Sequence, residues 1–485
     1  MKKIILLTLC GLPLVGSAQN ETDALRYSWL SFGGSARYSG MAGAFGAVGG
    51  DMSCMAVNPA GMARFTQSEM ELSFGITENT AYSSFNGGEK TGSRVNFTLN
   101  NLGIVGAYKA REDSDWKTIQ FGLSYTKLAN FSGETVISGN NSSTLLDVFA
   151  DDAYGVTQSA IWDVKPFTSG PAYYAYLIDP LDTVVHSYST QVFNSDVKQT
   201  RTITRKGGVN ETGLSLSANY LDKFYFGGTI GFAGVRYSEE YTHREDVVDQ
   251  SLDLRNFTFK QSLLTRGIGI NAKFGVIYLP AEWVRLGIAM HTRTGYSLSD
   301  RWSTEISSFF SNGDNYHEVS PVVGSYNYKV KAPSRFIGSL AFVFKKFGLV
   351  SVDYEMLDYS TALLKGTNYD PTEYSFNSEN QAIKENYTRA SNIRAGAEIR
   401  LKPFLIRGGY ALYGSPFKSD KVMNDGTRRT ITFGFGYRNH YFFADAGYVL
   451  TKWKEDYYMY DPDYTSGAEI SNISGTVVLS CGFRF

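Results

Sequence analysis

The most informative absence in this sequence of 485 residues is that of long apolar runs. After the first residues, no stretch approaches the roughly 18 consecutive apolar residues of a transmembrane helix, which excludes a bundle of membrane helices. Charge is also scarce, since charged residues make up 19% of the chain, against about 25% in ordinary soluble domains. The formal net charge of −1 gives no basic footprint for nucleic acid, so no such partner is expected.

Residues suited to catalysis or metal binding are equally few. The five histidines are His186, His243, His291, His317 and His440. All but His291 fall in predicted loops or turns. The sequence contains no Ser, His and acid set at recognisable spacing and no metal-ligand cluster. It therefore predicts a protein that is not an enzyme and that needs no cofactor or metal.

Residues 1–18 have the pattern of a secretory signal peptide. Two lysines precede an apolar core over residues 4–15, and small residues at 16–18 allow cleavage before Gln19. A lipoprotein anchored at Cys10 is the alternative, although the residue before Cys10 is not small. The pattern indicates export through the Sec route.

The exported chain keeps two cysteines, Cys54 and Cys481. A disulfide is the usual expectation in an exported protein. Strand parity points Cys481 away from the interior, whereas Cys54 lies in the segment that precedes the strands. The sequence therefore predicts two free thiols.

Period-two alternation recurs along the rest of the chain. In residues 267–278, 392–401 and 430–438, apolar side chains occupy every second position, and the positions between hold Gly, polar residues and single charges. Such dyads indicate strands with one face toward an apolar medium and one toward a polar lumen. A soluble β-sandwich also alternates, but the strands predicted here run about 10 to 15 residues, against about 5 or 6 in soluble proteins.

Fourteen strands are predicted, and tight turns alternate with long polar connections such as 80–92, 132–209 and 238–260. The predicted strands lie near 69–79, 93–109, 116–131, 210–221, 223–237, 261–279, 282–293, 333–345, 346–360, 388–401, 403–413, 427–438, 440–452 and 471–485. An even number of strands with short turns on one side is the pattern of bacterial outer-membrane barrels, whose short turns face the periplasm. Residues 68–485 are therefore predicted to form a transmembrane antiparallel β-barrel in the lipid bilayer of the outer membrane, with both chain ends in the periplasm.

Residues 19–67 do not alternate and are too rich in glycine for a long helix. Asn58 and Pro59 suit the N-cap and the first position of a short helical turn. A compact, weakly polar segment placed ahead of a barrel predicts a plug, or hatch, inside the lumen.

This segment resembles the N-terminal hatch of the FadL/TodX outer-membrane transporters of long-chain fatty acids and hydrophobic compounds. That hatch carries a pattern of the type G-x-R-x-x-x-M-G-G-A, an acidic pair and Asn-Pro-Ala-Gly. The corresponding residues are Ser35-Ala36-Arg37, Gly40-Met41-Ala42-Gly43-Ala44, Asp51 and Asn58-Pro59-Ala60-Gly61. Two positions depart from the pattern, because Gly50 replaces one acidic residue and Val57 stands where an aromatic is often found. Residues 331–344, 348–360 and 406–416 also resemble strands of the family.

The resemblance implies that ligand is caught on extracellular loops, moves to an inner pocket and leaves sideways beside a kinked strand. It carries over the plug motif Asn58, Pro59, Ala60 and Gly61. In the predicted strand 94–109, Asn101 and Gly103 mark a kink that would serve as the gate, because glycine weakens a strand ladder. A β-bulge without a gate is the alternative.

An amphiphile with an acyl tail needs an apolar groove for the tail and a cation for its carboxylate. Inward parity nominates as cations Lys273, Arg285, Arg394 and Arg400, each of which could instead pair with an acid of the lumen. The connection 132–209 offers apolar residues for capture, with packing over the barrel mouth as the alternative. These residues are Leu145, Leu146, Phe149, Tyr173, Tyr174 and Tyr176.

The sequence thus predicts a monomeric outer-membrane channel for passive uptake of hydrophobic small molecules, foremost long-chain fatty acids, with hatch-gated lateral release. The alternative from another class is a FadL-like barrel that acts as a protein-interaction or secretion-shuttle component. A general porin is disfavoured because a plug would block free water flow.

Overall fold

The structure, a computed structural model, describes residues 20–485 except Phe32, Thr183, 193–194, 368–373 and 420–422. The predicted signal peptide lies outside the described residues. Within the described part of the chain, no helix combines the length and the apolar character needed to cross a membrane.

Strands dominate the structure. They are β1 (Glu69–Phe85), β2 (Gly88–Lys109), β3 (Trp116–Asn130), β4 (Gly133–Asn141), β5 (Ile178–Asp182), β6 (Ser187–Thr190), β7 (Val197–Tyr220), β8 (Phe224–Val247), β9 (Leu254–Ala281), β10 (Val284–His291), β11 (Gly295–Phe310), β12 (Asn315–Val319), β13 (Gly324–Lys331), β14 (Arg335–Phe344), β15 (Gly348–Asp358), β16 (Leu363–Gly366), β17 (Arg389–Leu401), β18 (Phe404–Tyr413), β19 (Arg428–Arg438), β20 (Phe442–Tyr457) and β21 (Ala468–Arg484).

The wall is a closed antiparallel barrel with 14 strand positions, as predicted. We call each position a stave, because some positions hold two successive strands. Ten staves are single strands, namely β1, β2, β7, β8, β9, β17, β18, β19, β20 and β21. Each of the other four is interrupted and consists of two strands: β3 with β4, which both pair with β7, β10 with β11, β13 with β14, and β15 with β16. The barrel closes where β1 pairs with β21, from Glu69 opposite Arg484 to Ser84 opposite Glu469. Closure satisfies the edge groups that an open sheet would expose to lipid.

Short turns join the strands on one side of the barrel and long connections lie on the other side, as predicted, except where β1 meets β2 and where β8 meets β9. The expectation of polar loops at 80–92 and 238–260 is wrong, because most of these residues continue the strands. The β1–β2 hairpin ends in a two-residue turn at Asn86 and Gly87, whose φ angles are 43° and 79°. Positive φ at both positions is what the twist of a tight hairpin requires, and Asn-Gly supplies it.

The outer face of the barrel is apolar. Along β19, for example, Ile431, Phe433 and Phe435 are exposed, whereas Thr430 and Thr432 point into the lumen and are buried. Exposed apolar side chains in such a continuous belt fit contact with lipid, as in a barrel that spans a bilayer.

The helices are short. In the N-terminal part lie α1 (Glu21–Arg26), α2 (Ala36–Gly40), α3 (Cys54–Val57) and the 3-10 helix η1 (Pro59–Arg64); in the long connections lie α4 (Leu145–Asp152), α5 (Ile161–Val164), α6 (Ser169–Tyr174), the 3-10 helix η2 (Tyr359–Thr361) and α7 (Asn377–Asn386). The four N-terminal helices belong to what we call the N-terminal segment, the described residues of 20–67.

The N-terminal segment lies inside the barrel, and most of its side chains are buried. Its first helix packs near α7, and the Tyr387 hydroxyl donates to the carbonyl oxygen of Glu21 (3.2 Å). Since α7 belongs to a long connection, the amino-terminal end of the segment lies on the long-connection side. The expectation that both chain ends lie on the turn side is therefore wrong for this end. Ala24, Leu25 and Tyr27 are buried on the long-connection side. Burial of these apolar side chains stabilises a segment that crosses the lumen to reach that side.

The two cysteines lie in different environments. Cys54 is buried in the N-terminal segment, and Cys481 is exposed on the outer face of β21; both are free thiols. Burial raises the pKa of the Cys54 thiol.

Candidate functional site

The N-terminal segment is fastened to the inner wall by buried polar contacts. The carboxylate of Asp353 accepts hydrogen bonds from the main-chain nitrogens of Phe45 (3.1 Å) and Gly46 (3.0 Å). Arg37 Nε donates to Glu398 Oε2 (2.9 Å), in a pair that is almost fully buried. Charge-assisted bonds of this kind are the stronger ones in a protein interior.

The plug motif adopts the predicted helix cap. Asn58 Oδ1 accepts from the main-chain nitrogen of Ala60 (3.1 Å), and Pro59 occupies the first turn of η1. Asn58 Nδ2 also donates to the carbonyl oxygen of Gly46 (2.6 Å), so the same side chain ties two parts of the N-terminal segment together. Gly61 lies against Cys54, where an added Cβ would come within 2.8 Å of the sulfur.

Inward-facing glycines let the wall touch this motif. A Cβ at Gly275 would lie 1.8 Å from Asn58 Oδ1, and one at Gly227 would lie 2.3 Å from the carbonyl carbon of Pro59. At these two positions the wall has no side chain, and the plug motif of the N-terminal segment occupies the space inside the lumen.

The predicted kink in β2 is a β-bulge. Ser73 of β1 pairs with Asn101 and Phe74 pairs with Leu99, so Asn100 is the extra residue, one position before the predicted Asn101. Asn101 is fully buried and its Nδ2 donates to Thr126 Oγ1 (3.0 Å). Gly103 lies next to Met52 of the N-terminal segment.

On the side of this bulge nearer the long connections, β2 and β3 are not paired, which leaves a gap in the wall. The ladder between β2 and β3 ends where Asn101 pairs with Thr126, although β3 continues to Asn130 and stays paired with β7. At about 3.3 Å per residue, residues 127–130 leave an edge of roughly 13 Å without a partner in β2. At the end of the gap nearer the long connections, Asn96 Nδ2 donates to Asn130 Oδ1 across the gap (3.4 Å).

The N-terminal segment fills the gap. The main-chain nitrogen of Gly33 donates to Lys127 O (2.6 Å), and that of Ser31 donates to Leu128 O (2.9 Å). Ser31 is exposed although its neighbour Leu30 is buried. Two residues of the segment thus take the place of a neighbouring strand at the open edge of β3.

A cavity of about 200 Å³ adjoins this gap inside the lumen. It lies between the N-terminal segment and the inner faces of β18–β21 and β1–β3. Its lining combines aromatic and aliphatic side chains with hydroxyls, amides and two cations, Lys127 and Arg428, whereas none of the described lining residues is acidic. The lining residues include Trp29, Leu30, Asn100, Val449, Trp453 and Val478.

Neither cation of the cavity is held in an ion pair within the described part of the chain. The Arg428 guanidinium lies 3.9 Å from the ring centroid of Trp29 and 4.8 Å from that of Trp453. These cation–π contacts position the group without neutralising its charge. Glu455, on the adjoining strand, accepts a hydrogen bond from Asn472 (3.0 Å). The cavity therefore suits an anionic group attached to an apolar body.

The four cations nominated from parity are engaged elsewhere. Lys273 forms a buried ion pair with Glu211, and Arg394 Nη1 lies 2.8 Å from Glu355 Oε2. Arg400 Nε lies 3.0 Å from Glu398 Oε1, and Arg285 donates to the carbonyl oxygen of Val48 in the N-terminal segment (2.7 Å). None of the four lines the cavity.

The nominated capture residues divide into two groups. Leu145, Leu146 and Phe149 are fully buried in the core of the long connections, and helix α4, which carries them, is capped by Thr144. Tyr174 is 45% exposed and Tyr176 is 53% exposed, whereas Tyr173 is partly buried against the same core. Leu145, Leu146 and Phe149 therefore pack over the barrel mouth, which is the alternative to capture.

Sequence reasoning missed both cations of the cavity, for different reasons. Arg428 shares its parity with Thr430 and Thr432, so the alternation in the predicted strand 427–438 does contain the signal. Lys127 shares parity with the outward residue Tyr125 and reaches the cavity edge only because β3 is irregular between Lys127 and Ala129. No local pattern predicts such an irregularity.

Comparison with known proteins places the fold. No protein-family model matches the sequence, and none of the curated proteins matches it either. Among solved structures, a Pseudomonas aeruginosa FadL homologue aligns with a TM-score of 0.58 and 13% identity over 94% of this chain and 98% of that chain. The P. putida toluene transporter TodX aligns with a TM-score of 0.54 and 13% identity over 93% and 98%. The CymD monoaromatic hydrocarbon channel aligns with a TM-score of 0.51 and 12% identity over 93% and 98%. The chain thus has the fold shared by the FadL homologue, TodX and CymD, as the motif resemblance implies.

Proposed function

We propose that this protein is an outer-membrane channel for passive uptake of hydrophobic small molecules that carry an anionic group, foremost long-chain fatty acids. The observation that carries the proposal is a cavity whose two cations form no ion pair with any described residue, beside a wall gap that the N-terminal segment fills. In this account residues 19–67 act as the plug, and the barrel of residues 68–485 supplies the wall.

The cavity accounts for recognition. Lys127 and Arg428 would hold the carboxylate, and Trp29, Trp453 and the aliphatic side chains beside them would contact the start of the acyl chain. Among the described residues neither cation forms an ion pair, and Glu455, which interacts with Arg428 electrostatically, is hydrogen-bonded to Asn472. An anion would supply the missing partner, since a charge removed from water without one is costly. TodX is a toluene transporter and CymD is a monoaromatic hydrocarbon channel, so both take neutral compounds. The two cations are the reason to propose an acid for this chain.

The gap accounts for release. Two main-chain hydrogen bonds, from Ser31 and Gly33, join the N-terminal segment to the edge of β3. At about 0.5–1.5 kcal/mol each, they would resist opening by roughly 1–3 kcal/mol. An open state of that free energy is a minor but accessible population, which is what a gate requires. Ligand that leaves here enters the bilayer sideways.

Mass spectrometry of small molecules retained by the detergent-purified protein tests the proposal. We expect long-chain acids to co-purify with the wild type and to be depleted when Arg428 and Lys127 are both replaced by methionine. Retention of neutral lipids alone, or of none, together with capture of secreted proteins, would favour the protein-interaction alternative instead.

A further inference from the structure

The outer face of the barrel carries a cationic patch on the long-connection side of the apolar belt. Arg236 of β8 and Arg266 of β9 are exposed and pair directly with each other across the two strands. Like charges in directly opposite positions destabilise a sheet. Neither guanidinium has a carboxylate or hydrogen-bond partner among the described residues, so the pair lacks the counter-charge that would make the arrangement favourable.

Two further cations lie two strands away on the same outer face. The residue of β13 in register with Arg266, through Ser299 of β11, is Asn327, so the lysines lie two and four residues farther along β13. On β13, Lys329 pairs with Ser297 of β11 and Lys331 pairs with Gly295, and both lysines are exposed on the same outer face. The first carboxylate along β8 beyond Arg236 on this face is that of Glu240. We call Arg236 and Arg266 the basic patch. Lys329, whose Nζ donates to Thr367 O (3.3 Å), and Lys331 lie to one side of it.

An apolar groove runs from the basic patch toward the middle of the barrel. It comprises two adjoining depressions of about 750 and 700 Å³ that share Arg236, Ile268 and Ser297. Below the arginines it is lined by Phe232, Ile270 and Tyr125, the last of which is partly exposed.

Two glycines keep this groove open. At Gly234 and Gly295, both among the lining residues, an added Cβ would meet no atom within 4 Å. Packing within the chain therefore does not demand glycine at either position. The space is available to a molecule outside the barrel.

We propose that the basic patch and this groove bind a phosphorylated lipid of the surrounding outer leaflet, with its phosphate between Arg236 and Arg266 and an acyl chain along the groove. Arginine forms paired hydrogen bonds to phosphate oxygens, and a dianion between two guanidiniums removes their mutual repulsion. A cationic rim over an apolar groove is complementary to the charge and shape of such a lipid. The site requires the membrane location proposed above but not the transport activity, because it lies outside the lumen.

Native mass spectrometry of the full chain in phosphatidylcholine nanodiscs tests the site. The probes are lipid A with both phosphates and the same lipid without phosphates. We expect the wild type to bind the phosphorylated form at least about tenfold more tightly, since a charged hydrogen bond contributes about 1.5–3 kcal/mol and tenfold corresponds to about 1.4 kcal/mol. The double variant Arg236→Gln/Arg266→Gln should lose that preference.

A matched control replaces two other cations on the same strands. Arg244→Gln/Lys260→Gln removes the same charge, but Arg244 pairs with Asp246 and Lys260 pairs with Glu305, both at exposed positions. This control should bind lipid A as the wild type does. Equal binding of the two lipid forms by the wild type, unchanged binding by the first variant, or equal loss in the control would each overturn the proposal.

If the glutamine variant fails to fold, as judged by heat-dependent migration on a gel, Arg236→Lys/Arg266→Lys carries the test. Lysine keeps the charge but not the paired geometry, so we expect weaker binding of phosphorylated lipid A than in the wild type. Binding as tight as that of the wild type would overturn the proposed phosphate contact. The retention of fatty acids by the lumen should be unchanged in all of these variants.

Discussion

The main-chain nitrogen of Gly33 donates a hydrogen bond to the carbonyl oxygen of Lys127 at 2.6 Å, at the point where β3 has lost its partner β2. This contact joins the N-terminal segment to the wall and the wall to the cavity, since Lys127 also lines the cavity. A residue of the lumen thus completes the hydrogen bonding of the sheet.

Gly33→Ala should open the gap. An added Cβ would lie 2.6 Å from Lys127 O and 3.3 Å from Lys127 Cβ, so the segment must shift away from β3. We expect higher single-channel conductance and greater uptake of hydrophobic dyes in proteoliposomes. Ser31→Ala is the control, because the Ser31 contact uses the main chain, and it should behave as the wild type does.

Asn58→Ala should loosen the N-terminal segment. The change leaves Gly46 O and Ala60 N without their side-chain partner in a buried site, at a cost of about 1–3 kcal/mol. In a Cys481→Ser background, we expect Cys54 to react with a maleimide at least about tenfold faster than in the parent. In the parent itself Cys54 should react slowly, because it is buried and its thiol pKa is raised.

The matched control for that experiment is Asn219→Ala, which removes a side-chain bond to Asp222 at a turn of the wall. It should leave Cys54 protected. Rapid labelling of Cys54 in the parent protein would contradict a segment buried in the lumen.

Glu398→Gln should destabilise the whole barrel. Glu398 Oε2 accepts from Arg37 Nε and from Arg407 Nε, both at 2.9 Å, and Oε1 lies 3.0 Å from Arg400 Nε. Without the carboxylate, the buried guanidinium of Arg37 loses its ion-pair partner, whereas Arg407 keeps Asp445 (2.6 Å). Breaking a buried pair in this way costs about 3–5 kcal/mol. We expect a lower midpoint of thermal unfolding by circular dichroism.

The control is Lys454→Gln, which breaks an exposed pair with Glu469. Exposed pairs contribute about 0–1 kcal/mol, so its midpoint should be close to that of the wild type. Equal midpoints for Glu398→Gln and Lys454→Gln would show that the Arg37 contact does not fasten the segment.

Replacing the cations of the cavity should change cargo choice. Lys127→Met and Arg428→Met each remove a charge from the lining and keep an apolar side chain. We expect each to weaken binding of palmitate by about tenfold or more, while binding of 1-hexadecanol, which has the same tail without the charge, stays within about twofold. Isothermal titration in detergent measures both.

Lys90→Met is the matched control, since Lys90 is exposed on β2 and does not line the cavity. It should bind both compounds as the wild type does. Equal losses for palmitate and hexadecanol in the cavity variants would indicate a steric effect and contradict recognition of the carboxylate.

The barrel could be predicted from the sequence because each stave carries its own signal. Alternation in β19 or β17 is local, and it fixes which residues face lipid and which face the lumen. The cap at Asn58 is local as well, since an asparagine before a proline defines it. The strand count follows from counting these patterns, and the structure has the same number.

The site could not be predicted in the same way because it depends on pairing between distant residues. Lys273 is paired with Glu211, which no alternation reveals. The wall gap exists because β2 bulges at Asn100 and the β2–β3 ladder ends at Thr126, and register of this kind is set by both strands together. The excess of positive charge in the cavity can be recognised only after each acidic side chain of the lumen has been assigned to its partner.

We propose that ligand leaves through the gap between β2 and β3, and a reducible crosslink across that gap tests this most directly. The side-chain amides of Asn96 and Asn130 lie within 3.4 Å of each other, so cysteines at both positions in a Cys481→Ser background can be bridged by a short bis-methanethiosulfonate, which forms a disulfide with each cysteine. The control pair is Ser215→Cys/Thr229→Cys, whose hydroxyls lie 2.7 Å apart across the continuous β7–β8 ladder. The readout is uptake of radiolabelled palmitate by proteoliposomes. We expect the crosslink to abolish uptake in the Asn96/Asn130 pair, reduction to restore it, and the control pair to transport in both states; unchanged uptake by the crosslinked Asn96/Asn130 pair would contradict release through the gap.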